Sequence, residues 1–114
     1  MCSLVLLKSL NIRHNQLEEI PDNFGAFVCL TKLEADNNKI AKLPQGFDKL
    51  VKLNFLNLSK NKLSVFPEEV RNFKKISTLK IASNKAIPSI PDWIDELSNL
   101  EMLDLKSISA NNFP

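Results

Sequence analysis

Asn15, Asn38, Asn61 and Asn84 stand 23 residues apart, each heading nearly the same phrase: NQLEEIP, NKIAKLP, NKLSVFP and NKAIPSIP. A fixed period this short restricts the chain to an array of like units, because one unit cannot bury its own apolar face and stacked copies can. Upstream of each asparagine the apolar spacing also repeats: Leu7, Leu10, Ile12; Leu30, Leu33, Ala35; Leu53, Leu56, Leu58; Ile76, Leu79, Ile81. Leu100, Leu103 and Leu105 open a fifth copy. The expected organisation is one domain, 1–114, made of a partial unit 1–6, repeats 7–29, 30–52, 53–75 and 76–99, and a partial repeat 100–114.

Alternation at Leu10-Asn11-Ile12 and Leu56-Asn57-Leu58 predicts a short strand in each unit, one face inward and the other outward. Stacking the units would lay these strands side by side as a parallel sheet, about 4.8 Å apart. The asparagine then turns the chain, and its amide can bond backbone groups left unpaired where a buried strand ends. The column Asn15, Asn38, Asn61, Asn84 is therefore read as a structural ladder. The second half of each unit predicts a short helical turn at Pro21–Phe24, Pro44–Phe47, Pro67–Val70 and Pro91–Ile94, with proline at the first helical position, where its missing N–H costs nothing.

The pattern L-x-x-L-x-L-x-x-N-x-L, in register over nearly the whole chain, resembles the leucine-rich repeat family. The resemblance implies an α/β fold: a leucine-rich repeat solenoid, a horseshoe arc with a parallel concave sheet and short helical turns on the convex side. It also implies a non-enzymatic module that binds a protein partner on the concave sheet. The 23-residue form, with I-P or L-P before the turn, is similar to the intracellular class that includes Ras-suppressor and scribble-type scaffolds. That places the expected function in signalling or scaffolding in the cytoplasm, with a small GTPase or another signalling protein as partner. Two alternatives stay open: a fragment of a receptor or secreted recognition domain, and a self-assembling structural unit.

Since Leu10 and Ile12 face inward, their neighbours form outward columns. These are Ser9, Lys32, Phe55, Thr78 and Met102; Asn11, Glu34, Asn57, Lys80 and Asp104; Arg13, Asp36, Ser59, Ala82 and Lys106; and His14, Asn37, Lys60 and Ser83. Mixed charge around one aromatic suits a protein-binding surface with Phe55 as anchor and the charges setting orientation. The candidate contacts are Asn11, Arg13, Lys32, Glu34, Asp36, Phe55, Asn57, Lys80 and Met102. The plainer reading is that any single polar position is a solvated strand residue and that Phe55 packs against neighbouring stems. Trp93 is a convex candidate, because its slot holds Asn23, Gly46 and Glu69 in the other units and so should face solvent; the alternative is that it folds down over the bulge of repeat four. Lys39, Lys62 and Lys85 form a further column whose like charges repel.

Other chemistries find little support. A net charge of +2 names no partner class and is too low for a nucleic-acid surface. One histidine excludes most His-paired catalytic arrangements, two glycines allow no phosphate loop, and no metal or cofactor set is expected. No apolar run approaches the ~20 residues of a membrane-spanning helix. Cys2 and Cys29 fall in slots held elsewhere by small or charged residues, which predicts exposed thiols and a reducing compartment. Asn57-Leu58-Ser59 matches a glycosylation acceptor, but a glycan there would block the concave face. The chain opens and stops midway through a unit, so the expectation is either a fragment of a longer array or ends covered by self-association. Repeat four holds one extra residue before Pro91, predicting a bulge at Ile87-Pro88, and Ile108 stands where repeat five should carry asparagine.

Overall fold

In each described unit a leucine at the centre of a three-residue strand is held between two outward side chains. In the computed structural model, which describes residues 7–20, 27–44, 46–88 and 90–106, these strands are β1 (Ser9–Asn11), β2 (Lys32–Glu34), β3 (Phe55–Asn57), β4 (Thr78–Lys80) and β5 (Met102–Asp104). They form one parallel sheet in sequence order, with Leu10, Leu33, Leu56, Leu79 and Leu103 in register. The strands are short, but the ladder continues past them. The amides of Ile12, Ala35, Leu58 and Ile81 donate to Glu34 O, Asn57 O, Lys80 O and Asp104 O at 2.8 to 2.9 Å. Leu33, Leu56, Leu58, Leu79 and Ile81 are fully buried, and burial of each such side chain contributes about 1.5–3 kcal/mol.

The asparagine column ties units together. Asn61 Nδ2 donates to Ala35 O, Leu58 O and Ser59 O at 3.1, 2.9 and 3.1 Å, while its Oδ1 accepts from Ile40 N at 3.0 Å. Asn38 repeats this with Ile12 O, Ala35 O and Leu17 N, and Asn84 with Leu58 O, Ile81 O and Leu63 N. All three are buried. Among the described residues Asn15 bonds only Ile12 O and Arg13 O, within its own loop, and it is exposed. The residue before each asparagine, His14, Asn37, Lys60 or Ser83, is left-handed, with φ of 57°, 61°, 56° and 62°. That conformation aims the next side chain inward, although an L-residue with a Cβ resists it.

The convex side carries 3-10 helices at Phe47–Lys49, Glu68–Asn72 and Asp92–Glu96. Their period decides their form, because residues three apart eclipse on a 3-10 helix. Pro67, Val70 and Phe73 therefore share one inward face, linked by Val70 N to Pro67 O and Phe73 N to Val70 O. The prolines correct the sequence reading, for Pro67 and Pro91 are extended N-cap residues preceding the helix, with ψ of 120° and 153°, and not its first position. In the second repeat Gly46, at φ 89°, starts the helix three residues after Leu43, a conformation that glycine adopts without a Cβ clash. Phe47 is fully buried in the same core as Ala35 and meets Phe73 edge-on, with ring centroids 5.8 Å apart. The turn expected at Pro21–Phe24, the partial unit 1–6 and Ile108 lie outside the described residues. The extra residue of repeat four is taken up in a turn closed by Ile87 N to Asn84 O at 3.2 Å, with Ile87 buried.

Cys29 departs from expectation. It is 4% exposed and disulfide-bonded, so it is no surface thiol; Cys2 lies outside the described residues.

Candidate functional site

Strand alternation sends Phe55 outward because Leu56 takes the inward place at the middle of the sheet. The ring is half-buried by its neighbours, with Lys32 Nζ 5.0 Å and Lys80 Nζ 5.7 Å from its centroid. Ammonium groups at this range are attracted by the ring's electron-rich face. Lys32 also stands 3.8 Å from Glu34, a long contact between partly exposed groups, and such a pair contributes little. Met102, 47% exposed, lies two strands along the same outward column, across Thr78.

The second outward column is partly committed to the chain itself. Asn11 Oδ1 accepts from Arg13 N at 3.0 Å, Asn57 Oδ1 from Ser59 N at 3.0 Å and Asp104 Oδ1 from Lys106 N at 3.2 Å. Each such bond is an Asx turn that steers the backbone out of its strand.

Asp36 corrects the picture of a solvated concave carboxylate, being only 4% exposed. Arg13, 23 residues earlier and one unit away, lies across it. Arg13 Nε is 2.9 Å from Oδ1 and 3.0 Å from Oδ2, with its N–H aimed at Oδ2, to which Asn37 Nδ2 also donates at 2.9 Å. Oδ1 keeps the ionic contact without a hydrogen bond. Arg13 and Asp36 therefore act as a clasp between the first two described units. The spacing of the repeat contained that pairing, but only the strand register makes it visible.

Trp93, expected to face solvent, is half-buried and packed against the core. Its ring meets Phe66 edge-on at 5.6 Å, and the Arg71 guanidinium lies 5.9 Å from its centroid, held by two 3.2 Å bonds to Glu96. A tryptophan with part of its surface taken up by an aromatic and a paired arginine offers a partner less surface than an exposed one. Lys39 and Lys62 border a cavity of about 650 Å³ on the flank between sheet and convex turns, which Glu18 and Glu19 also line. Among the described residues no group of acids, histidines and cysteines could hold a metal, and no helix is long and apolar enough to cross a membrane.

This geometry, a parallel sheet with one strand per 23-residue unit, an inward asparagine ladder and 3-10 turns behind, defines a leucine-rich repeat solenoid. The family model for a leucine-rich repeat region matches residues 1–112, and the chain belongs to the leucine-rich repeat family. No curated protein matches it in sequence. Solved structures carry the same fold. The leucine-rich repeat domain of the type III effector XopL superposes with a TM-score of 0.78 at 22% identity, over 88% of this chain and 36% of that one. The ectodomain of the Arabidopsis receptor kinase HAESA, solved with an N-terminally extended IDA peptide hormone, gives 0.80 at 26% identity, over 94% and 19%. A leucine-rich repeat protein of Leptospira interrogans gives 0.52 at 25% identity, over 88% and 37%. This chain thus spans well under half of each. Domains of this family generally serve protein interaction, not catalysis.

Proposed function

We propose that the chain is a protein-interaction module that docks a protein partner on its concave sheet, within an intracellular signalling or scaffold protein. The observation that carries the docking surface is Phe55, an aromatic held outward at the centre of a five-stranded sheet, with exposed Met102 in the same column. Large apolar side chains that a strand turns toward solvent, ringed by polar groups, are the usual energetic anchors of interfaces. A pull-down from cell lysate with the wild-type chain and a Phe55→Ala/Met102→Ala variant tests this. A partner held by the first and lost by the second, with melting unchanged, is the expected result. Equal capture by both refutes the concave anchor.

A second reading, a recognition domain of a receptor or secreted protein, is favoured by one observation: Cys29 is disulfide-bonded, and disulfides persist in oxidising compartments. The likeness to the HAESA ectodomain is in keeping with it. Recovery of Cys29 in a disulfide after thiol-blocking extraction from the producing cell would favour this reading, and a reactive thiol the intracellular one.

A further inference from the structure

The concave columns hold five of the chain's 15 basic residues and three of its 13 acidic ones, so the ten of each sign elsewhere cancel. The whole formal charge of +2 therefore belongs to this face. It is not spread evenly along it. Over β1 and β2 the signs are matched, Arg13 with Asp36 and Lys32 with Glu34. Over β3 to β5, Lys60, Lys80 and Lys106 make no ion pair among the described residues, and Asp104 turns one oxygen back to the Lys106 amide.

Backbone geometry gathers these three lysines around Ala82. Lys60 N donates to Ala82 O at 2.8 Å, Ser83 N donates to Lys106 O at 2.7 Å, and Lys80 lies two residues before Ala82 on the same chain. The third outward column is filled by the Arg13 and Asp36 clasp in the first two described units, but by Ser59 and Ala82 in the next two. Ser59 Oγ is drawn down to accept Ala82 N at 3.1 Å, which lowers the floor further. The result is a low, small-residue floor bordered by Phe55 and rimmed by three lysines against one carboxylate, Asp104, which stands opposite Lys80 in the register. The flank cavity mixes Lys39, Lys42 and Lys62 with Glu18 and Glu19, a smaller excess of three cations over two acids.

Building on the concave-docking reading, we infer that the surface over β3 to β5 takes an acidic, extended segment of the partner protein. Its carboxylates meet Lys60, Lys80 and Lys106, and one apolar side chain rests against Phe55. Unmatched charge of one sign selects partners of the other and speeds encounter, while matched pairs on the β1 and β2 side give no such preference.

Fluorescence anisotropy of a labelled Glu-rich peptide with one central Phe tests the assignment on the full chain. Lys60→Glu/Lys80→Glu is expected to weaken binding about tenfold or more, and Lys39→Glu/Lys62→Glu, an equal charge change on the flank, less than about threefold. A Lys-rich peptide of the same length should not bind, and a single-stranded oligonucleotide of equal charge should bind more weakly than the acidic peptide. No binding by wild type, equal losses in the two variants, or preference for the oligonucleotide overturns the inference. Should the double reversal fail to fold, Lys60→Gln/Lys106→Gln set against Lys39→Gln/Lys62→Gln gives the same comparison at equal charge change. If Phe55→Ala/Met102→Ala loses a captured partner that Lys60→Glu/Lys80→Glu retains, concave docking stands and acidic selection falls.

Discussion

Asn61 closes four backbone groups from two neighbouring units with one amide, in a site shut off from water. Truncation would leave these groups unpaired, at roughly 1–3 kcal/mol for each that water cannot reach. Asn61→Ala should therefore cost about 3 kcal/mol or more in urea unfolding. Asn15→Ala should cost under about 1 kcal/mol, because Asn15 is exposed and bonds only its own loop. Equal costs would show that burial does not set the ladder's worth. The ladder was legible in the sequence because one residue type recurs at one spacing. The left-handed position before it was not, since His14, Asn37, Lys60 and Ser83 share no chemistry and only the backbone path demands that conformation. Glycine would relieve a clash of about 1–2 kcal/mol there at an entropic cost of about 0.5–1 kcal/mol. Ser83→Gly should accordingly raise the melting temperature slightly, and a clear fall would mean that the Ser83 side chain holds the turn.

At the scale of elements, the strands follow from alternation, and their register follows from the period, which aligns Leu33, Leu56 and Leu79 without further information. The convex helices were legible in place but not in kind. Apolar residues three apart read as a helical face, yet in segments of three to five residues that spacing suits the 3-10 form, which puts the prolines at N-caps. Burial on this side makes a sharp comparison, since Phe73 is fully buried and Val65 is largely exposed. Phe73→Ala should destabilise the fold by about 3–5 kcal/mol, and Val65→Ala by less than about 0.5 kcal/mol, read by chemical denaturation. Comparable losses would contradict the observed packing. Trp93 shows where slot-by-slot reasoning stops. Its slot holds glycine and glutamate in the second and third repeats, and neither residue type tells that an indole there packs on Phe66 and Arg71.

For the whole molecule, stacking is what turns separate units into a surface. Columns that are single residues in sequence become a continuous face about Phe55, and the chain's small net charge becomes a local one. Composition alone hid this, because ten charges of each sign elsewhere dilute the excess. The Arg13 and Asp36 clasp was hidden for the same reason: two residues a full period apart meet only once the units are in register. The central claim is that partners dock on the concave sheet and not on the convex turns. Its most direct test is titration calorimetry of the captured partner against wild type, the concave variant Phe55→Ala/Met102→Ala and the convex variant Arg71→Ala/Glu96→Ala. At least a tenfold loss of affinity, about 1.4 kcal/mol, is expected in the concave variant and wild-type affinity in the convex one. Loss confined to the convex variant would contradict it.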